Sequence, residues 1–161
     1  MIELTLDDSD AKRGLAQLLR NATNNKPMMK GLAMVLESMT QDNFADESWG
    51  GDKWKDLRYA RKEKGKKLHR SGELEDSITS KADENFARIG TNMVYAAIHH
   101  MGGKIKPKNK KGLAFGGIVR RGSQIDARPY LPINGKGKLQ DDGEERLLDV
   151  VMAALKKDVY R

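Results

Sequence analysis

Apolar residues recur at helical spacing in three stretches of the chain. Each stretch places them on one face, which is the pattern of an amphipathic helix. The aligned positions are Ala11, Leu15, Leu18, Leu19 and Ala22, then Met28, Leu32, Val35, Leu36, Met39 and Asn43, and finally Leu147, Leu148, Val151, Met152, Leu155 and Val159. We therefore predict a helix over residues 8–22, a second over residues 27–44 and a third that closes the chain. The short break at residues 24–26 predicts that the first two form a hairpin.

Two local signals mark where these helices begin. Pro27 suits the first turn of the second helix, because its missing amide hydrogen has no partner there in any case. Asp141 and Asp142 each precede a glutamate by three residues, Glu144 and Glu145 respectively. This spacing resembles a capping box, with aspartate in place of serine or threonine, and predicts the start of the closing helix.

Alternation with a period of two predicts strands. Residues 2–6 alternate, and residues 77–82 and 86–90 flank a short polar turn, which indicates a β-hairpin. A further strand at residues 113–120 is interrupted by a glycine pair and lies within a long basic segment. Together with the helices, these patterns predict an α+β fold: a small antiparallel sheet flanked by helices, with a long basic β-arm or loop.

A strand-to-helix junction at residues 89–103 lies at the centre of the sequence. The strand ends at Gly90, and a helix of about two turns runs up to Gly102, which ends it with a positive φ. The side chains predicted to face inward are Tyr95, Ala96, Ile98 and Met101.

Two tryptophans lie in residues 46–56, where neither period persists, so we predict a loop there. Trp49 either anchors this loop to the core or serves as an interface anchor. The very basic residues 57–68 predict a short exposed helix. Prolines at positions 129 and 132 predict a fixed extended or turn conformation later in the chain.

Composition favours one domain over residues 1–161, because this length is enough to bury a core. Cysteine is absent, which excludes disulfides and thiolate metal sites. No apolar run reaches the roughly 20 residues of a membrane span, and the acidic start is unlike a signal peptide. We expect a soluble intracellular product with no membrane contact.

The net charge of +7 is unevenly distributed. Residues 53–70 hold nine basic and two acidic residues, and residues 104–121 hold seven basic residues and no acid, so the remainder sums to −7. Such segments contact polyanions, or are solvated loops, or meet the acidic surface of a neighbouring copy. We expect residues 104–125 to form a flexible basic arm. The candidate interaction residues are Lys104, Lys106, Lys108, Lys110, Lys111, Arg120, Arg121 and Trp49.

Catalytic and metal-binding patterns are not found. His99 and His100 are adjacent, so on a helix their side chains point in different directions and do not share a metal well. One of them is expected to cap the helix end instead. The serines lack a nucleophile elbow, and the glycine pairs match neither phosphate-binding nor dinucleotide-binding motifs. We expect no enzyme activity, no metal and no cofactor.

Four short motifs occur in a fixed order. They are Trp54-x-x-Leu57, then Leu68-x-x-Ser71-Gly72-x-Leu74-x-x-Ser77-Ile78, then Gly90 followed by Tyr95-Ala96-x-x-His99-x-x-Gly102, then Ala127-Arg128-Pro129-Tyr130-Leu131. In this order they resemble the phage virion morphogenesis family, the tail-completion proteins of Mu-like and related contractile-tailed phages and prophages. The sequence departs from that pattern at residues 58–60, where the family has a threonine-containing polar run.

The resemblance implies a non-enzymatic virion protein that completes the tail or joins it to the head, working as a ring. Its implied partners are copies of itself, other tail and neck proteins, and DNA passing through the neck. Its implied location is the virion, after synthesis in the bacterial host cytoplasm. The alternative is a sequence-independent nucleic-acid-binding module that uses the basic loops. The residues assigned to the structural motif are Trp54, Gly72, Leu74, Gly90, Tyr95, His99, Gly102, Arg128 and Pro129.

Overall fold

Five helices lie within the residues that a computed structural model describes, which are 9–56, 66–107, 113–115, 118–120 and 122–159. They are α1 (Ser9–Thr23), α2 (Lys26–Asp46), α3 (Glu73–Asp76), α4 (Ala96–Met101) and α5 (Gly143–Lys156). The three amphipathic helices predicted from periodicity are present, and Pro27 lies in the first turn of α2 as expected. The strand predicted at residues 2–6 lies outside the described residues, as does most of the helix predicted at residues 57–68.

The β structure consists of four two-stranded antiparallel ladders within the same described ranges. The paired strands are β1 (Ser48–Trp49) with β2 (Asp52–Lys53), β3 (Thr79–Ala82) with β4 (Ala87–Gly90), β5 (Gly103–Ile105) with β8 (Ser123–Ile125), and β6 (Leu113–Phe115) with β7 (Ile118–Arg120). The predicted α+β class and the hairpin now formed by β3 and β4 are confirmed. Strands β5 to β8 lie in or beside the segment predicted to be a basic arm, and the arm itself stays a prediction.

Helices α2 and α5 pack antiparallel and at close range. A Cβ atom added to Gly31 would lie 2.7 Å from the Val150 side chain, and one added to Gly143 would lie 2.9 Å from Cε of Met39. Arg146 on α5 donates to the Asp42 carboxylate at 2.9 Å and to the Ser38 hydroxyl at 3.0 Å. The hairpin of β3 and β4 also packs on α2.

The buried core lies where α2, α3, α4 and the chain around residue 130 meet. Its residues come from five separate parts of the sequence and are Phe44, Trp54, Leu74, Ala96 and Tyr130. Partly buried apolar residues extend it, namely Leu68, Ile78, Met93 and Leu131. Because these positions are far apart in the chain, the core fixes the relative placement of elements that share no hydrogen-bonded ladder.

Helix α1 differs from the prediction in its packing. Two residues connect it to α2, but it packs against the end of α5 rather than along α2. The Asn21 amide nitrogen donates to the carbonyls of Leu155 at 2.8 Å and Lys157 at 2.7 Å. No residue of α1 is buried. Its apolar face is therefore present as predicted but is not part of the core.

The loop predicted at residues 46–56 is wrong in part, because β1 and β2 form a tight hairpin there. Gly50 and Gly51 connect the two strands with φ values of +56° and +92°. Glycine adopts positive φ without strain, and two such residues in a row match the twist of a two-residue hairpin. Each strand is only two residues long, so no alternation was visible in the sequence.

Two further predictions of local detail are wrong. Asp142 precedes α5, but its side chain makes no capping bond. Its carboxylate instead accepts from Gln140 at 2.8 Å and from Arg146 at 3.3 Å, so it is already engaged. Tyr95, which precedes α4, and Met101, which ends it, are 36% and 56% exposed rather than inward, and the buried positions of α4 are Ala96 and His100.

Candidate functional site

The sequence motifs converge on Tyr130, which is 1% exposed. Its ring contacts Phe44 of α2, with centroids 5.2 Å apart, and His100 of α4, with centroids 4.9 Å apart. Its hydroxyl donates to the Ala96 carbonyl at 3.2 Å. Burial raises the pKa of Tyr130 to about 12, so the hydroxyl keeps its proton and remains a donor. The ring thus ties the Ala127–Leu131 motif to both α2 and α4.

Trp54 attaches a second motif to the same place. Its ring meets Phe44 edge-on, with centroids 5.9 Å apart, and its indole Nε1 donates to the Pro129 carbonyl at 2.8 Å. Its backbone N–H donates to the Glu47 carbonyl at 2.8 Å. Both the ring and the backbone of this residue are therefore fixed against the core.

Arg128 joins a third pair of segments. Its guanidinium donates to the Lys55 carbonyl at 3.0 and 3.2 Å and to the Asp56 carbonyl at 3.1 Å, and the side chain is buried. Its backbone N–H donates to the carbonyl of His99 at 2.9 Å. The planar guanidinium has several donors in fixed directions, which suits two adjacent carbonyls. The residue clamps the chain after Trp54 to the end of α4.

His99 and His100 are adjacent in α4 but contact different residues. His100 Nε2 lies 2.8 Å from the Ile133 carbonyl, and its Nδ1 lies 3.2 Å from the backbone N–H of Tyr130. These partners assign a neutral ring that donates from Nε2 and accepts at Nδ1. His99 packs edge-on against Tyr95, with centroids 5.9 Å apart. The predicted capping of the helix end is wrong for His100, because its ring reaches residues 130–133 instead.

Both histidines favour the neutral form. Burial lowers the pKa of His100, although its hydrogen bond to the Ile133 carbonyl raises it in part. Burial also lowers the pKa of His99, and the nearby Arg128 charge lowers it further. A histidine whose folded-state pKa lies below its unfolded value stabilises the fold above that unfolded value. The contribution is lost as pH falls.

We therefore expect the free energy of unfolding to decrease as pH falls below 6.5, the ordinary histidine pKa, toward the lowered folded-state values. The measurement is urea denaturation at a series of pH values between about 7.5 and 5, above the range in which carboxylates titrate. Replacing both His99 and His100 by glutamine should flatten the profile. An unaltered slope in the double variant would contradict the assignment.

Glycines and one leucine complete the motif residues. Gly72 precedes α3 with φ of +82°, and Leu74 in that helix is 4% exposed. Gly102 ends α4 with φ of +72°, as predicted, and a Cβ atom there would lie 2.7 Å from the backbone nitrogen of Ala127. Gly90 ends β4, and a Cβ atom there would have no neighbour within 4 Å. A side chain at Gly102 would therefore push α4 away from the Ala127–Leu131 motif.

The motif segments meet around Tyr130, at a place called below the junction around Tyr130, and their contacts there are hydrogen bonds and packing. Across the described ranges, no group of three or more histidine, aspartate or glutamate side chains is placed to hold a metal ion. Among the helices in those ranges, none is both long enough and apolar enough for a membrane crossing. Trp54, Arg128 and Tyr130 each donate a side-chain hydrogen bond to a backbone carbonyl. The motif residues therefore hold chain segments together.

Comparison with known families agrees with the resemblance that the motifs showed. Residues 6–156 match the sequence profile of the phage virion morphogenesis family. The chain belongs to that family. Its role is therefore a structural one in virion assembly, and the protein is associated with the virion.

Two relatives within this virion morphogenesis group are similar over most of the chain. Mu-like prophage FluMu G protein 2 of Haemophilus influenzae is 36% identical over 132 residues, covering 81% of this chain and 83% of the relative. Putative capsid assembly protein G of Escherichia phage Mu is 26% identical over 160 residues, covering 93% of this chain and 85% of the relative. No solved structure matches significantly.

The interaction residues predicted for this member of the family are only partly described. Lys104 and Lys106 are exposed at the base of the arm. Arg120 lies in β7, but its side chain is outside the description, and Lys108, Lys110, Lys111 and Arg121 lie outside the described residues. Trp49 is half-buried, and its Nε1 donates to the Leu131 carbonyl at 3.0 Å. This bond holds the β1–β2 hairpin against residue 131, and the role of Trp49 as an interface anchor stays a prediction.

Sequence reasoning missed a buried amide pair beside Tyr130. The Asn43 side-chain nitrogen donates to Gln140 Oε1 at 2.9 Å and to the Tyr130 carbonyl at 3.2 Å. The Asn43 oxygen accepts the Gly50 backbone N–H at 3.3 Å. Asn43 and Gln140 are 2% and 3% exposed. The signal was available, because Asn43 is the one polar residue among the aligned positions of α2, and a polar group on an apolar face needs a buried partner.

Proposed function

We propose that this protein completes the phage tail or joins it to the head, acting as a ring of identical copies without catalytic activity. The observation that carries the proposal is the family match over residues 6–156. The junction around Tyr130 supports it, because the motif residues there are engaged in packing and backbone hydrogen bonds. A structural part of a virion needs chain segments that are held firmly together more than it needs a reactive pocket.

The proposed partners are copies of this chain and other tail or neck proteins. The arm is the proposed docking element, since its base carries the exposed cations Lys104 and Lys106. Cations there would steer encounter with an acidic neighbour, and DNA in the neck is a further proposed contact of the same charges. The proposed place of synthesis is the host cytoplasm, with the virion as the final location.

Removing the protein during particle production tests the function. We expect full heads beside unattached or unfinished tails in negative-stain micrographs, and a loss of infectivity. The control is the same deletion supplied with the wild-type chain, which should restore joined particles. Normal infectious virions without the protein would exclude the proposal. A loss of the heads themselves would contradict it as well, and would place the protein in capsid assembly, the role that the name of the phage Mu relative gives to that protein.

A further inference from the structure

Helix α1 carries an apolar stripe that the described residues leave uncovered. Leu15 and Leu19 are 65% and 67% exposed, and Ala11 and Ala22 are exposed on the same face. These positions recur every three or four residues, so they form one continuous ridge along the helix. Two leucines exposed side by side on an ordered helix indicate an interaction surface rather than an isolated apolar residue.

An apolar groove of about 660 Å³ lies elsewhere on the same molecule, between α2, α5 and the β3–β4 hairpin. Three of its large apolar lining residues are substantially exposed, namely Leu148 at 52%, Ile133 at 49% and Phe86 at 39%. The principal apolar lining residues are Met29, Leu32, Leu36, Phe86, Leu147 and Leu148. Flexible methionine and leucine side chains around a concave surface can accept a helix ridge.

The charges beside the two surfaces are opposite. Helix α1 has three basic residues, Lys12, Arg13 and Arg20, against one acid, Asp10. The groove includes Glu144 in its lining, and the exposed acids Asp83 and Glu84 precede its Phe86 in the hairpin turn. One cation, Arg88, also lies by the groove, with its guanidinium 5.1 Å from the Phe86 ring centroid, so the three carboxylates named here leave a net negative charge beside it. A ridge flanked by cations is complementary to this groove in polarity and in net charge.

The two surfaces of one chain lie at different ends of α5. Asn21 of α1 bonds to the carbonyls of Leu155 and Lys157, and a Cβ atom at Gly14 would lie 3.4 Å from the Val159 carbonyl. The groove uses the first half of α5, up to Val151. Leu148 and Leu155 are about 10 Å apart along the helix axis, from a rise of about 1.5 Å per residue. With α1 held at the far end of α5, the ridge that fits this groove comes from another copy.

We propose that the α1 ridge of one copy occupies the groove of the next copy. Ridge and groove are different surfaces, so the contact is heterologous and repeats from copy to copy, closing a ring where the rotation allows it. The inference rests on the proposed ring, and it names the surfaces that would form it. It is tested on the purified protein, separately from virion production.

The absence of cysteine allows a direct test with single-cysteine chains. Leu19→Cys marks the ridge and Leu148→Cys marks the groove, and both sites are more than half exposed, so the fold should tolerate them. A short bismaleimide is added to each variant alone and to an equimolar mixture. We expect at least tenfold more cross-linked dimer in the mixture than in either variant alone. The matched control is Val94→Cys, at a residue that is 98% exposed and lies in neither surface.

Several outcomes would overturn the contact. Strong cross-linking of Leu19→Cys with itself would mean that two ridges meet in an isologous pair. A mixture that cross-links no more than the Val94→Cys control would mean that the α1 ridge does not occupy the groove. The groove would then be open or filled by something other than α1.

Variants that place a charge on either apolar surface give an independent readout by sedimentation velocity. Leu19→Glu and Leu148→Glu should each weaken self-association at least tenfold, and a mixture of the two should form a dimer through its one intact ridge and one intact groove. A wild-type chain that stays monomeric at all concentrations, or variants that associate as it does, would also overturn the contact. Failure here with unjoined particles in the deletion experiment would remove only this contact. Normal virions in that experiment would remove the function and leave the contact standing.

Discussion

Replacing Trp54 by alanine is expected to lower the free energy of unfolding by about 3–5 kcal/mol, the range for large aromatic side chains in cores. The indole is 4% exposed and meets Phe44 edge-on, so its loss leaves a cavity in the core. It also leaves the Pro129 carbonyl without its donor. For a chain of this length we expect the melting temperature to fall by about 10 °C, measured by circular dichroism.

Trp54→Phe separates the two contributions. Phenylalanine keeps much of the ring but has no N–H for the Pro129 carbonyl, so it should cost about 1–3 kcal/mol, close to the value of an unsatisfied buried acceptor. The control is Trp49→Phe, which also removes an indole donor but at a half-buried site. A melting temperature for Trp54→Ala within about 2 °C of the wild type would show that the ring does not hold the core.

Replacing Arg128 by alanine is expected to cost about 2–4 kcal/mol, since hydrogen bonds from a charged donor contribute about 1.5–3 kcal/mol each and are not additive. The guanidinium serves the carbonyls of both Lys55 and Asp56. Without it the chain after Trp54 loses its tie to the end of α4. Urea denaturation measures the loss, and limited proteolysis should show earlier cleavage near residues 55–66.

Arg128→Lys tests the geometry of this clamp. Lysine keeps the charge but presents a single ammonium group in place of a planar fork, so it should recover less than half of the lost stability. The matched control is Arg88→Ala, at an exposed arginine whose guanidinium lies 5.1 Å from the Phe86 ring centroid. That change should cost no more than about 1 kcal/mol. Full stability in Arg128→Lys would mean that charge alone, and not the fork, holds the segment.

The sequence predicted where helices and strands lie better than it predicted which of them pack together. Periodicity located α2, α5 and the β3–β4 hairpin, because each repeats its pattern over several residues. It missed the β1–β2 hairpin, where the only signal was the Gly50–Gly51 pair. Periodicity also identified the apolar face of α1. The predicted hairpin of α1 with α2 was wrong, because a period shows that a face is apolar but not which element covers it.

The junction around Tyr130 was predictable only in part. The four motifs were recognisable by their spacing, yet their convergence depends on contacts such as Trp54 to Pro129, which are 75 positions apart in the chain. The Asp142 capping prediction failed for the same reason, since its carboxylate is engaged by Gln140 and Arg146. The role of His100 likewise depends on residues 130–133, which no local pattern connects to it.

The attachment of α1 has a consequence for how this sequence can diversify. The helix has no buried residue, and the Asn21 amide bonds it to the end of α5. Substitutions along its outer face are therefore expected to cost the core little stability. In the proposed ring, such changes would alter the contact that α1 makes with the next copy and leave the packing around Tyr130 in place.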